Sequence, residues 1–239
     1  MNDHVDTAPV QADARGHGPH GFVPALGLQW LTRFYDPLVR LTLREDAIKG
    51  QLIEQARIAP GMDVLDLGCG TGTLAIMLKR ACPAARIAGL DVDPEVLRIA
   101  RDKIAQAGVE VTLHQGSAAD PTLPPGSFDR VLTTLMLHHL TTDEKRATLA
   151  GVLRLLRPGG ELHVADFGRP QNALMWIISQ GVRWLDGGDR TEVNLSGRLP
   201  EIVREAGFIA VEETGTTMTP FGSLAFLRAS APEAGRYAA

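Results

Sequence analysis

The chain is poor in cysteine, with only Cys69 and Cys82 among its 239 residues. Two thiols are too few for a disulfide framework or a cysteine-based zinc site. Their scarcity favours a reducing, cytoplasmic compartment. Cys69 lies within a glycine-rich turn, and a small side chain that fills this turn is a better interpretation than a nucleophile. We therefore expect neither a structural disulfide nor a metal ion.

The chain also lacks an excess of basic charge and any long apolar run. Lysine and arginine number 24 against 28 aspartates and glutamates, which gives a net charge of −4. Nucleic-acid-binding domains usually carry a strong basic excess, so we expect no nucleic-acid partner. No stretch approaches the roughly 18 apolar residues of a membrane-spanning helix. The N-terminus has neither the basic nor the apolar region of a signal peptide.

The composition predicts one α/β domain with loose ends. Hydrophobic residues make up 44% and charged residues 22%, as in ordinary globular domains. Residues 1–24 lack periodicity and are rich in glycine, proline and alanine, so we predict a disordered segment. Residues 25–230 form a single predicted domain in which 25–58 are a helical lid. Residues 231–239 are expected to fray.

The stretch at residues 64–75 reads Val-Leu-Asp-Leu-Gly-Cys-Gly-Thr-Gly-Thr-Leu-Ala. It begins as an apolar strand, breaks at Gly68, Gly70 and Gly72, and continues with the apolar spacing of a helix. Glycine tolerates positive φ and lets bare backbone approach a ligand. The helix N-terminus behind the turn presents unpaired N–H groups. This pattern is typical of the ligand-binding corner of a doubly wound α/β sheet.

Two carboxylates flank this turn in the predicted sheet. The glycine spacing fits a loose dinucleotide fingerprint, and Asp91 ends the second predicted strand, 86–91, where a ribose-binding acid is expected. Asp66 precedes the turn, where it would repel a pyrophosphate and face a cationic group. Asp93 is better placed than Asp91 to cap the next helix, because a proline follows it at the first helical position.

Residues 64–72 resemble motif I of the class I S-adenosylmethionine (SAM)-dependent methyltransferases. The string Leu-Arg-Pro-Gly-Gly-Glu-Leu at 156–162 is a second match. Residues 34–38, Phe-Tyr-Asp-Pro-Leu, resemble the N-terminal lid of the ubiquinone/menaquinone-type enzymes. The resemblance covers about residues 28–230. It implies SAM as cofactor and a Rossmann-like, seven-stranded, doubly wound sheet, mostly parallel with one antiparallel strand, under a helical lid.

The resemblance also implies where SAM binds. The glycine turn lies against its amino acid part, the preceding acid helps to bind its ammonium group, and the acid after the second strand binds its ribose. An acid that commonly binds adenine is replaced here by Ser117, so either this hydroxyl or Asp120 takes its place. The implied cofactor-binding residues are Asp66, Gly68, Cys69, Gly70, Gly72, Asp91, Val92, Ser117, Ala118 and Leu135.

Catalytic candidates follow the fourth predicted strand, 128–134. His138 and His139 are adjacent groups that could act close to neutral pH. Either could take a proton from an acceptor O–H or N–H, or could instead cap the next helix or pack under the loop. We prefer His139 of the two. The resemblance places Tyr35 over the cofactor and facing the acceptor, and a core aromatic residue is the alternative.

Further acceptor contacts are predicted in the second half of the chain. Asp166 ends the fifth predicted strand, 161–167, and would face the rim of the site. The segment 173–185 is apolar on more than one face. We favour a lid over an apolar substrate, with a dimer seam, a membrane contact or a buried crossover helix as alternatives. Arg190 and Asn194 are further candidates for contact with the acceptor.

Several element boundaries are also predicted. The third strand is expected at 109–114, and the helix at 142–156 is expected to begin without a capping box. The chain is expected to end with strands at 207–211 and 221–229, joined by a turn-rich link at 214–220. In the resembled family an antiparallel seventh strand lies beside strand six, whereas a nicotinamide-binding sheet would continue with parallel strands.

These features predict a SAM-dependent methyltransferase. It would transfer a methyl group by in-line displacement to a small, hydrophobic acceptor such as a quinone precursor, a lipid or an aromatic natural product, with S-adenosylhomocysteine as the second product. An NAD(P)-dependent oxidoreductase is the alternative enzyme, and a non-catalytic SAM-binding regulator is the alternative from another class. A homodimer and a peripheral membrane contact remain open.

Overall fold

A computed structural model of the protein describes residues 45–186 and 188–233, without the side chains of 182–189. The predicted disordered segment 1–24 lies outside the described residues. So do most of the predicted lid, including Tyr35, and most of the predicted frayed tail.

The described chain alternates strands with helices. The elements in chain order are α1 (Glu45–Ala56), β1 (Asp63–Leu67), α2 (Thr73–Ala81), β2 (Arg86–Asp91), α3 (Pro94–Ala107), β3 (Thr112–Gln115), β4 (Phe128–Thr134), a 3₁₀ helix (Leu137–His139), α4 (Thr142–Leu155), β5 (Leu156–Phe167), α5 (Ala173–Asp186), α6 (Gly188–Leu195), α7 (Leu199–Glu205), β6 (Ile209–Thr219) and β7 (Gly222–Ser230). None of these helices is long and apolar enough to cross a membrane.

The strands form a seven-stranded sheet in the order β3-β2-β1-β4-β5-β7-β6. β1 is parallel to both β2 and β4, and β4 is parallel to β5. β7 is antiparallel to both β5 and β6. The predicted doubly wound sheet with one antiparallel strand is thus confirmed. The strand order reverses between β1 and β4, and ligands bind at the carboxyl ends of strands at such a switch point.

Successive residues of a strand point to opposite faces of the sheet, so β1 contributes side chains to two hydrophobic cores. Leu65 and Leu67 pack in a core with residues of α4 and α7. Val64 packs in the other core, with residues of α1 and α2. Asp66 shares the face of Val64, so its carboxylate points towards α1 and α2.

Two predicted strand boundaries near the ends of the sheet are wrong. β6 continues through Thr219, because residues 214–219 pair with β7 and leave only two residues for the turn. β3 starts at Thr112 because Val109 is still bonded back to the end of α3. There Gly108 takes the left-handed conformation, and the N–H of Val109 donates to the Ile104 carbonyl.

Two predictions around α4 are also wrong. Thr141 is the N-cap of this helix, and its hydroxyl accepts from the N–H of Glu144. The Glu144 carboxylate accepts in return from the N–H of Thr141 at 2.7 Å, so a capping box is present. β5 begins at Leu156 instead of residue 161, because Leu156 already pairs with Phe128 before the register shifts.

Candidate active site

The glycine turn after β1 has the backbone that its sequence predicts. The φ angles of Gly68, Gly70 and Gly72 are 68°, 53° and 77°, which are unfavourable for residues with a side chain. The N–H groups of Gly68 and Cys69 donate to the Leu90 carbonyl at 2.8 and 3.0 Å. The turn is therefore tied to the carboxyl end of β2.

The loop after β4 closes over this turn. A Cβ atom on Gly68 would lie 2.6 Å from Cγ of Met136, so the methionine side chain packs directly against the bare backbone. Leu135 has a φ of 51°, which is strained for a residue with a side chain. Its N–H donates to the Ala165 carbonyl at 2.9 Å. The structure thus brings Leu135 and Met136 to the glycine turn.

Asp91 lies beside the turn, as its position at the end of β2 predicts. One carboxylate oxygen accepts from the N–H of Gly70 at 2.8 Å, and the other accepts from Asp93 at 3.1 Å. Burial raises the pKa of Asp91, and these hydrogen bonds oppose the shift. Asp93 caps α3 through the N–H groups of the next turn, which confirms that prediction.

Asp66 has the least satisfied carboxylate near the turn. Its side chain is 1% exposed, and Oδ2 has no hydrogen-bond partner within the described part of the chain. Burial raises its pKa to about 7, while the positive charge of Lys49 opposes this shift. Lys49 lies on α1, is itself buried, and pairs with Glu45. Lys49 is not among the residues predicted from the sequence, although the Glu45–Lys49 spacing of four suits a helical ion pair.

Cys69 fills the turn instead of presenting a nucleophile. Its side chain is buried, and a Cβ atom on Gly89 would lie 2.9 Å from its sulfur. Burial also raises the pKa of the thiol, so the reactive thiolate is disfavoured. The interpretation of Cys69 as a space-filling residue is therefore confirmed.

His138 is fixed by Asp166 behind the end of β4. Both side chains are buried, and Nδ1 of His138 lies 2.7 Å from Oδ1 of Asp166. Oδ2 of Asp166 accepts from the backbone N–H groups of Leu137 and His138 at 2.7 and 3.3 Å. The expectation that Asp166 faces the rim of the site is wrong, because these donors hold its carboxylate behind the turn.

His139 packs against His138 in a different environment. The two ring centroids are 3.9 Å apart with an interplanar angle of 44°. Burial lowers the pKa of His139 to about 3, with the neighbouring His138 adding to the shift. The His139 imidazole is thus neutral near pH 7 and is a weak base.

Comparison with known proteins identifies the matched domain. Residues 64–160 match a family model described as a methyltransferase domain. An uncharacterised methyltransferase of Synechocystis is 38% identical over 124 residues, which are 52% of this chain and 56% of the relative. The ubiquinone/menaquinone biosynthesis C-methyltransferase UbiE of Bordetella avium is 34% identical over 142 residues, 57% of this chain and 55% of the relative.

Over the matched region, the chain is thus similar to known methyltransferases. It spans about half the length of the curated relatives it matches. The chain superposes on the crystal structure of the SAM-dependent methyltransferase SibL in its apo form with a TM-score of 0.66 at 24% identity. The superposition covers 88% of this chain and 60% of the SibL chain. This likeness supports the fold.

The predicted adenine side of the candidate site follows β3. The N–H of Gly116 donates to the Asp91 carbonyl at 2.9 Å, so the loop starts next to the glycine turn. Ser117 is exposed and its hydroxyl accepts from the N–H of Ala119. Val92 is an apolar side chain with 45% exposure next to Asp91. Contact of Ser117, Ala118 and Val92 with the cofactor stays a prediction.

Further residues brace the candidate site, and their roles could not be predicted from the sequence. Nζ of Lys103 on α3 donates to the hydroxyls of Thr71 and Thr73 in the glycine turn at 2.7 and 2.9 Å. Asn194 is buried and donates to the Phe167 carbonyl, while its Oδ1 has no hydrogen-bond partner among the described residues. These bonds join residues far apart in sequence, and no local pattern signals them.

The helix α5 leaves the same edge of the sheet with apolar side chains in solvent. Leu174, Trp176 and Ile177 are 62%, 59% and 62% exposed, whereas Met175 is buried. The predicted apolar character on more than one face is confirmed for these residues. A cover over the acceptor remains a prediction.

Proposed function

We propose that this methyltransferase moves a methyl group from SAM to a small, hydrophobic acceptor such as a quinone precursor, a lipid or an aromatic natural product. The observation that carries the proposal is the buried Asp66 oxygen without a hydrogen-bond partner among the described residues, next to a turn of three positive-φ glycines. A buried anion of this kind is costly unless a cationic group meets it. The name of the UbiE relative supports methylation at carbon of a quinone precursor.

The residues present fit the cofactor. Asp66 would bind the ammonium group, the backbone of the glycine turn would lie along the amino acid part, and Asp91 would bind the ribose. The backbone of Ser117 and Ala118 with the Val92 side chain would line the adenine pocket. When bound, SAM supplies a methyl group on a positively charged sulfur, which is a strong electrophile.

The protein contributes mainly alignment and exclusion of water. Met136 packs on the glycine turn, and the strained Leu135 backbone fixes the start of the loop that faces the acceptor. Good alignment of two reacting groups is worth up to ~7–11 kcal/mol in favourable cases. The apolar surfaces of Leu135 and Met136 would exclude water from the reacting pair.

The acceptor proton would go to His138 in preference to the predicted His139. The pKa of Asp166 is lowered, as the charge and hydrogen bond of His138 outweigh burial, so this carboxylate is ionised and accepts from Nδ1–H. The basic nitrogen of His138 is then Nε2, as in Asp-oriented histidine bases. His139 would act as a neutral packing partner. Tyr35 remains a predicted third contributor.

The composition and the surface of α5 support a proposal for the setting of the enzyme. The scarcity of cysteine supports a cytoplasmic location. The exposed apolar side chains of α5 support a hydrophobic acceptor, a peripheral membrane contact or a homodimer. The acidic composition supports the absence of a nucleic-acid partner.

A turnover assay tests this function. The full chain is incubated with SAM and a panel of quinols, phenols and lipids, and S-adenosylhomocysteine release is measured. We expect release only with a hydrophobic acceptor, and loss of release in the His138→Ala variant. Cofactor binding without release on any acceptor would contradict the proposal and favour the non-catalytic regulator.

A further inference from the structure

Lys145 on α4 is a lysine with no exposure to solvent. A buried ammonium group is costly unless hydrogen bonds and opposite charge compensate it. Burial lowers the pKa of Lys145 to about 8, while the charges of Asp166 and Glu144 oppose this shift. The proposed chemistry assigns this lysine no role, so its contacts need another explanation.

The ammonium group joins two backbone segments beside the proposed active site. Nζ of Lys145 donates to the Leu140 carbonyl at 2.5 Å and to the Arg190 carbonyl on α6 at 2.6 Å. The guanidinium group of Arg190 donates in turn to the His139 carbonyl at 2.6 Å. These three bonds form a closed ring between α4, α6 and residues 139–140.

This ring and Asp166 hold opposite ends of the 3₁₀ helix Leu137–His139. Asp166 accepts from the N–H groups at its start, whereas Lys145 and Arg190 donate to the carbonyls at its end. An anion at the N-terminus and cations at the C-terminus complement the unpaired backbone groups of a helical turn. The segment that carries both histidines is therefore fixed by charge at both ends.

We propose that Lys145 and Arg190 are positioning residues that set the place of His138 and His139 relative to the methyl acceptor. This inference rests on the proposed function, because the histidines face the acceptor only in that account. The compact lysine ammonium suits the role, since its donors can reach carbonyls on two separate segments. The same ring ties α6 to the histidines, so a shift of α6 would also move them.

The test compares substitutions that break the ring with a matched control. Lys145→Met and Arg190→Met each remove one member, and Arg190→Lys keeps a donor. Lys79→Met removes a lysine that donates to the Ala85 carbonyl at 2.8 Å, far from the proposed site. For each variant, kcat and the acceptor KM are measured together with the dissociation constant of S-adenosylhomocysteine.

We expect Lys145→Met and Arg190→Met each to lower kcat at least about tenfold, while cofactor affinity stays within about twofold, as for groups that act in the transition state. The double variant should lose little more than the worse single one, because either change opens the ring. Arg190→Lys should recover part of the loss, and Lys79→Met should keep the kcat of the parent. Unchanged kcat in both Met variants, or equal losses in kcat and cofactor affinity, would overturn the proposal.

A second measurement does not depend on turnover. Imidazole NMR signals of His138 and His139 are recorded for the parent and for Arg190→Met, whose side chain is only half-buried. Displaced signals in Arg190→Met, but not in Lys79→Met, support the positioning role even if no acceptor is turned over. Signals that stay unmoved refute it. If the signals are displaced but no acceptor is turned over, the ring still positions the histidines and only the proposed function fails.

Discussion

Asp66 and Asp91 lie at the ends of neighbouring strands but differ in their hydrogen-bond partners. Both oxygens of Asp91 accept backbone N–H groups, whereas Oδ2 of Asp66 has no such partner in the described ranges. Asp91 is thus fixed before a ligand arrives, and Asp66 gains most when a cation arrives. Both residues could be predicted from the strand and glycine pattern. Lys49 could not, because nothing in the sequence links α1 to the turn.

The raised pKa of Asp66 predicts a pH dependence of cofactor affinity. The folded pKa of about 7 lies above 3.8, the usual pKa of an aspartate, so protonated Asp66 stabilises the free protein and this stabilisation is lost as the pH rises towards 7. The proposed binding of the SAM ammonium group to Asp66 requires the ionised carboxylate. SAM affinity should therefore rise by up to about tenfold per pH unit below pH 7 and then level off.

Calorimetric titrations with SAM between about pH 5.5 and 7.5 measure this slope, a window below the usual pKa of an α-amino group, about 7.7–8.0. The Asp66→Asn variant is the control, because it cannot ionise, and its affinity should be low and flat. An equal slope in both proteins would show that another group titrates.

The position of Asp91 predicts that loss of its carboxylate weakens the binding of SAM. Asp91→Ala should raise the SAM dissociation constant about tenfold or more, because loss of hydrogen bonds to a charged group costs ~1.5–3 kcal/mol. The matched control is Asp93→Ala, which removes only the cap of α3 and should cost ~1 kcal/mol of stability. Equal affinities of the two variants would count against the ribose role of Asp91.

At the scale of elements, the 3₁₀ helix after β4 joins the proposed cofactor and acceptor sides of the site. Its position after a strand end could be predicted, and so could the two histidines. Their ranking could not be predicted, because it depends on Asp166, which lies 28 residues beyond His138 and pairs with it only through the sheet. The prediction that Asp166 faces the rim of the site is wrong for the same reason, because its pairing with His138 is not visible in the sequence.

His138 and His139 should differ strongly in their kinetic effects. His138→Ala should lower kcat by about 10²–10⁴-fold, the usual contribution of a general base. His139→Ala should lower it much less, since the depressed pKa leaves this imidazole a weak base. Steady-state rates of both variants measure this difference, and the binding of S-adenosylhomocysteine shows whether the cofactor site is intact. A larger loss in His139→Ala would return the role of base to His139.

The start of α4 predicts a measurable effect on stability. Thr141→Ala removes one half of the capping box and should cost ~1 kcal/mol. For a chain of this size, that loss lowers the melting temperature by about 2–4 °C. Thr142→Ala is the matched control, because the next residue lies inside the helix and should change the melting temperature little. Similar melting curves for both variants would show that the cap contributes nothing.

At the scale of the whole molecule, most of the architecture could be predicted from the sequence. The alternation of apolar strands with amphipathic helices indicates a doubly wound sheet, and the two methyltransferase motifs indicate an antiparallel final strand. The extension of β6 was missed because residues 214–219 are rich in threonine and precede a proline, a composition shared by turns and strands. Their pairing with β7 decides between these two structures.

The residues that hold the elements of the site together could not be predicted from the sequence. Lys145, Arg190 and Lys103 each join elements far apart in the chain. A lone lysine on an amphipathic helix normally indicates a solvated surface. Only the folded sheet brings Lys103 to the threonine hydroxyls of the glycine turn, and Lys145 and Arg190 to the backbone carbonyls beside the histidines.

The binding of S-adenosylhomocysteine to the full chain tests the central claim most directly, because it needs no acceptor. Calorimetric titration should give one saturable site, and a parallel titration with NADH should give no heat of binding. Binding of NADH without binding of S-adenosylhomocysteine would contradict the account and favour a nicotinamide-dependent enzyme.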